Sequence, residues 1–181
     1  MAKFYIPYKV LAFTNANVRQ LNLSLQSIEQ QLRSVPQETF KTDRTLFLPP
    51  AAFANSIFAG GTNFGYSLKN SVVTAQTYYA NIDILNKSTI TSIVAYWYRD
   101  DALATGDCDL YRSDFQENAS IMATADSDAT TGFHNVTDAS VVNGSLDYDT
   151  YMYYVQVSLD PNDAVTDVRF QGVEINYSVQ V

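Results

Sequence analysis

The chain has 181 residues, 46% of them hydrophobic and 17% charged, enough for one ordinary domain with an appendage and too well supplied with core residues for a disordered tail. One cysteine, Cys108, excludes an internal disulfide framework, and one histidine, His134, excludes most zinc sites and most histidine-based triads. The formal charge of −8 is unevenly spread, with +3 on residues 1–44 and −11 on residues 45–181, so the acidic part should be repelled by phosphate backbones and anionic membranes.

No stretch approaches the roughly 20 consecutive apolar residues that a membrane helix needs. The start, Met1 to Phe13, holds no apolar run ending in a small-residue cleavage site, and no secretory signal is expected there. Residues 1–16 are too apolar for a free tail. Phe4, Ile6, Tyr8 and Val10 alternate, a spacing that suits a strand added to a partner, so this segment reads as an anchoring arm.

Residues 17–36 read as a short coiled coil. Val18, Leu21, Leu25, Ile28, Leu32 and Val35 follow a strict heptad, with a at 18, 25 and 32 and d at 21, 28 and 35. Asn17 is placed to cap the start with Gln20 as its partner, Glu29 and Arg33 form an i, i+4 pair, and Pro36 stops the helix. Leucine at a with isoleucine at d leans toward three or more strands. The competing reading lays the helix on the body through an apolar face, which Leu23 at the outward f position would favour. Fewer than three heptads is marginal alone, so the body must carry much of any oligomer.

Residues 37–181 read as an antiparallel, jelly-roll-like β sandwich, making the chain mainly β. Period-2 patterning gives candidate strands at Thr45–Leu48, Tyr78–Leu85, Ile90–Arg99, Cys108–Ser113, Ser120–Ala125, Phe133–Val142, Tyr151–Leu159 and Val168–Val181. No helical pattern lies between them, which argues against an α/β fold. Turn chemistry sits at Asn86–Ser88, Asp100–Asp101, Asn143–Gly144 and Asp160–Asp163. Ala59–Gly65 (AGGTNFG) reads as a flexible loop. In the last strand Val168 and Phe170 have the opposite parity to Val173 and Ile175, and a bulge near Gly172 would turn all four inward.

The order of these runs, Ile90–Asp100 (ITSIVAYWYRD), Asp109–Arg112 (DLYR), Ile121–Ala125 (IMATA), Tyr153–Leu159 (YYVQVSL) and Val173–Tyr177 (VEINY), resembles a jelly-roll domain family of bacteriophage virion surface proteins. The resemblance covers roughly residues 44–181 and carries no catalytic signature. It implies a trimeric fibre tip, spike or head decoration on the outer surface of a virion, and a short helix before the domain is similar to phage fibre proteins. This chain has only a stub where long fibres have a shaft, which implies a knob close to a shell.

Candidate chemistry is thin, and no catalytic residue is expected. His134 and Cys108 read as structural strand residues, the thiol in an acidic setting opposite to that of an activated thiolate. The chain has no G-x-S-x-G, P-loop, GxGxxG or HExxH. Asp100/Asp101, Asp107/Asp109, Asp126/Asp128, Asp147/Asp149 and Asp160/Asp163 could supply calcium oxygens, but none has EF-hand spacing, so neither metal nor cofactor is expected. Tyr148, Tyr151, Tyr154 and Trp97 could form a sugar-stacking patch, or sit in the core or a subunit interface.

The leading expectation is therefore a non-enzymatic virion structural protein. It would be a homotrimer through its helix, held to major capsid or tail proteins by its arm, with its acidic body placed to touch a host surface glycan. It would bind neither nucleic acid nor membrane. The alternative is a carbohydrate-binding β-sandwich module.

Overall fold

A computed structural model describes residues 15–34, 41–55, 62–63, 67–70 and 72–180. The chain divides into two compact units, residues 1–39 and 40–181.

In the first unit, helix α1 covers Asn15–Ser34, starting two residues before the expected cap and stopping ahead of Pro36. Twenty residues at ~1.5 Å each make a rod of about 30 Å. Leu21 and Leu25 of the heptad stripe are exposed, and so is Leu23. The side chains of Val18, Ile28 and Leu32, and the whole of Val35, lie outside the described residues, as do Phe4, Ile6, Tyr8 and Val10 of the arm.

The second unit is two antiparallel sheets. Its strands are β1 (Lys41–Leu48), β2 (Ala54–Asn55), β3 (Thr62–Asn63), β4 (Leu68–Lys69), β5 (Gln76–Asn81), β6 (Thr89–Arg99), β7 (Thr105–Asp114), β8 (Ala119–Thr124), β9 (Gly132–Asp138), β10 (Tyr151–Asp160) and β11 (Val168–Gln180). Sheet A runs β1-β11-β6-β9, with the short β4 and β3 continuing from the β1 side of β11; sheet B runs β2-β5-β10-β7-β8. Taking β1 and β5 to β11 as the eight main strands, the order is that of a jelly roll, each long connection crossing between sheets.

All eight expected strands are present, with different ends. Strand β5 stops at Asn81 and β9 at Asp138, short of Leu85 and Val142, whereas β1 begins four residues before Thr45. The loop expected at Ala59–Gly65 contains β3, which pairs with β4. These strands of two residues are too short for any alternation to be visible in sequence.

Alternate side chains fill the space between the sheets. Trp97 is fully buried there, with its indole N–H donating to the Ala125 carbonyl at 3.1 Å and its ring 5.1 Å edge-on from Phe170. Phe170 in turn meets Phe53 at 5.1 Å. Trp97 therefore belongs to the core and to no sugar-stacking patch. The bulge expected near Gly172 is there, with a register break between Phe170 and Gly172 and a left-handed φ of 132° at the glycine. It leaves Val168, Phe170, Val173 and Ile175 all buried. A second break between Asn176 and Tyr177 changes parity again and buries Ser178, which the uniform alternation placed outside.

Gly106 shows how closely the sheets meet. A Cβ there would lie 2.5 Å from the Trp97 ring. Gly106→Ala should therefore lower unfolding stability by about 1–3 kcal/mol through overpacking, read as a lower urea midpoint with an unchanged slope.

Candidate functional site

The two sheets leave their other faces to solvent, and both carry aromatic residues. On sheet A the register fixes which side chains share the outer face. Phe47 of β1 stands opposite Glu174 of β11 and Gly172 stands opposite Tyr96 of β6. Tyr96 in turn faces Asn135 of β9, and Tyr98 faces Phe133.

Together Phe47, Tyr96, Phe133, Asn135, Gln171 and Glu174 line an open groove of about 860 Å³. Trp97 and His134 also border it, although the strand pairing turns their side chains inward. Phe133 is 77% exposed and Phe47 48%. The glycine at 172 is what lets Phe47 lie down on the sheet, since a Cβ there would meet its ring at 2.6 Å.

One end of the groove is held by a stack. The Tyr98 ring lies 4.6 Å from Phe133 and the Arg169 guanidinium 4.7 Å over Tyr98, while Arg169 pairs with Asp100 at 2.9 Å. Tyr98 is raised above the ordinary tyrosine value by its hydrogen bond to Asp100 and by that charge. Tyr96 is raised by burial and then by its hydrogen bond to Glu174, which fixes the floor of the groove. Apolar ring faces next to two amides and a carboxylate are the mixture that recognises a ligand with both C–H faces and hydroxyls.

The outer face of sheet B carries Tyr79 of β5, Tyr154 of β10 and Tyr111 of β7 in a row. The Tyr111 and Tyr154 rings are parallel at 5.2 Å, and Tyr79 lies 6.0 Å from Tyr154. Tyr154 is the one member of the expected patch found here. Tyr148 and Tyr151 instead pack against the core beside Tyr153, at 5.1 and 6.4 Å between ring centres.

Carboxylates gather near this row. Asp126 accepts the Cys108 N–H at 3.1 Å, and Asp109 accepts the Thr124 hydroxyl at 2.7 Å. Asp126 is pushed up to about 6, chiefly by burial and then, against its amide hydrogen bond, by the charges of Asp107 and Asp109. Asp107 is raised by burial and by Asp109 and Asp160. The Cys108 thiol is buried and raised far above its ordinary value by that burial first, and by Asp109 and Asp126 second. It is no thiolate nucleophile.

The remaining sequence candidates lie elsewhere. His134 faces the core opposite Trp97, its Nδ1 3.2 Å from the Gly132 carbonyl and its Nε2 3.6 Å from Asp128. Asp101 and Asp163 come together with Asp167, a residue outside the acidic pairs. Burial alone would raise Asp167, but the N–H groups of Ala164 and Asp163 hold it below the ordinary aspartate value, at 2.7 and 3.0 Å. Its carboxylate is thus already used in closing that turn. Phe47 and Phe133 were missed as site residues, although strand parity alone places each on the solvent side.

No family model matches the chain, and no curated protein does. Among solved structures it is similar to the xylan-binding module CBM15, at 9% identity and a TM-score of 0.44, over 77% of this chain and 99% of that one. It is also similar to a xylan-binding domain from CBM 22, at 14% identity and 0.39, over 81% and 88%. A third is the enzymatically active domain of tailspike protein 4 of bacteriophage CBA120, at 14% and 0.39, over 78% of this chain and 19% of that one.

The raised carboxyl of Asp126 has a thermodynamic consequence. Its folded-state value of about 6 lies above the ~3.9 of an unfolded aspartate, so between these values the folded state holds the proton more tightly and gains stability as pH falls. Asp126→Asn should melt higher than the parent at about pH 8, and the gap should close as pH drops through about 6 toward 4. Melting temperatures of both proteins across that range test it.

Proposed function

We propose that this protein is a non-catalytic carbohydrate-binding β sandwich that takes a glycan chain in the outer groove of sheet A. The observation that supports this most is Phe133. A phenylalanine 77% exposed on a regular strand contributes little to the fold, yet it stands in one groove with Phe47 and with the hydrogen-bonding groups of Asn135, Gln171 and Glu174. Phe47 and Phe133 sit on β1 and β9, three strand spacings apart. At ~4.8 Å each this favours an extended oligosaccharide over a single sugar, because a length of roughly three pyranose rings reaches from one aromatic to the other.

A glycan array probed with the full chain, followed by calorimetry on the best oligosaccharide, tests the proposal. Phe133→Ala and Phe47→Ala should each weaken binding by about tenfold or more with the fold intact by circular dichroism. An array without hits, or affinities untouched by both substitutions, would remove the groove from the account.

A second reading concerns assembly, and the exposure of Leu21 and Leu25 on one stripe of α1 favours it. Three copies would bury that stripe against one another, giving the homotrimer and the virion-surface placement that the phage resemblance implies, with residues 1–16 as anchor. The glycan groove would then be displayed in three copies. Light scattering should give three times the chain mass, and Leu21→Ser with Leu25→Ser should shift it to monomer; a monomeric parent would end the assembly reading and leave the groove standing.

A further inference from the structure

Sheet B's outer face is built differently from the groove. The row of Tyr79, Tyr154 and Tyr111 crosses three strands, and Ile121, opposite Tyr111 in the register and exposed, extends it onto β8. Asp109 is the next outward residue along β7 from Tyr111 and stands opposite Gln156 of β10. Asp126 joins it from the loop after β8, accepting the N–H of Cys108, the residue before Asp109, at 3.1 Å. Arg112 is the only basic residue in the sequences of β5, β7, β8 and β10, and it has the opposite parity, stacked over Tyr151 at 4.6 Å. Among the described residues of these four strands, the face therefore combines aromatic rings with negative charge and no basic side chain of the same parity.

We infer that this face is a second binding surface, selective for cationic glycans, meaning polymers of pyranose rings that carry free amino groups. Such a chain uses both features at once. Its C–H faces lie on the tyrosine and isoleucine row, while its ammonium groups meet Asp109 and Asp126 and are drawn to the electron-rich tyrosine rings. A neutral N-acetylated chain has the same rings without the charge, and a basic peptide has the charge without a succession of flat rings. Uronic-acid polymers are repelled. The surface acts independently of the groove on sheet A.

Calorimetry on the full chain at low salt and about pH 6 tests this with three probes, a glucosamine hexamer, an N-acetylglucosamine hexamer and hexalysine. The glucosamine hexamer should bind at least tenfold more tightly than either of the others. Asp109→Asn, which keeps an acceptor for the Thr124 hydroxyl, and Tyr154→Ala should each weaken it by about tenfold, and Phe133→Ala should leave it unchanged. Equal binding of hexalysine would make the face a docking surface for basic peptides and overturn the proposal. Equal binding of the acetylated hexamer, or no binding of the glucosamine hexamer, would overturn it too. Loss on Phe133→Ala but not on Asp109→Asn would assign the ligand to the groove, ending this inference while keeping the proposed function.

Discussion

The close approach of the two sheets around Trp97 is the constraint on which the rest of the molecule depends. That ring fills the space left by Gly106, satisfies its N–H on Ala125 and meets Phe170 edge-on, so there is room for one set of side chains per strand and no more. Every residue of the opposite parity must then face solvent, whatever its chemistry. Aromatics appear on both outer faces because this rule applies to both sheets at once. They contribute to the fold mainly through contacts with neighbours on the same face, such as Tyr98 with Phe133 and Tyr111 with Tyr154.

The bulge at Gly172 links this core to the groove. An extra residue in β11 restores the inward parity of Val173 and Ile175, and the same glycine leaves a bare patch of sheet on which Phe47 lies. One local irregularity thus serves both the packing of the sandwich and the shape of its outer surface. The stack of Arg169, Tyr98 and Phe133 then stiffens the far end, with Asp100 holding the guanidinium in place. A groove built on strands and braced in this way is ordered by the fold itself, so a ligand of the kind proposed would spend little binding energy arranging it.

Charge separates the two faces. The groove on sheet A mixes one carboxylate with amides and lies beside a paired arginine, whereas sheet B presents tyrosines with Asp107, Asp109 and Asp126, the first two standing opposite the neutral Ser158 and Gln156. The raised values of Asp107 and Asp126 come first from burial and then from that crowding. The sequence already held the acidic pairs, and turn composition explained most of them. What it could not show was that Asp126 comes up against the Asp107/Asp109 pair while its own neighbour Asp128 goes to His134.

Alternation along each strand depends only on local spacing, so the eight main strands, the bulge at Gly172 and the inward set around Val155 and Ile175 were legible from residue order. The helix α1 was legible for the same reason. Pairing between strands far apart in the chain is decided by which edges meet when the sheets close, and no local spacing encodes it. For that reason only the tertiary structure put Trp97 in the core, moved Tyr148 and Tyr151 against it, brought Phe47 and Phe133 into one groove from positions 86 residues apart, and hooked Asp126 onto the backbone of Cys108 beside Asp109.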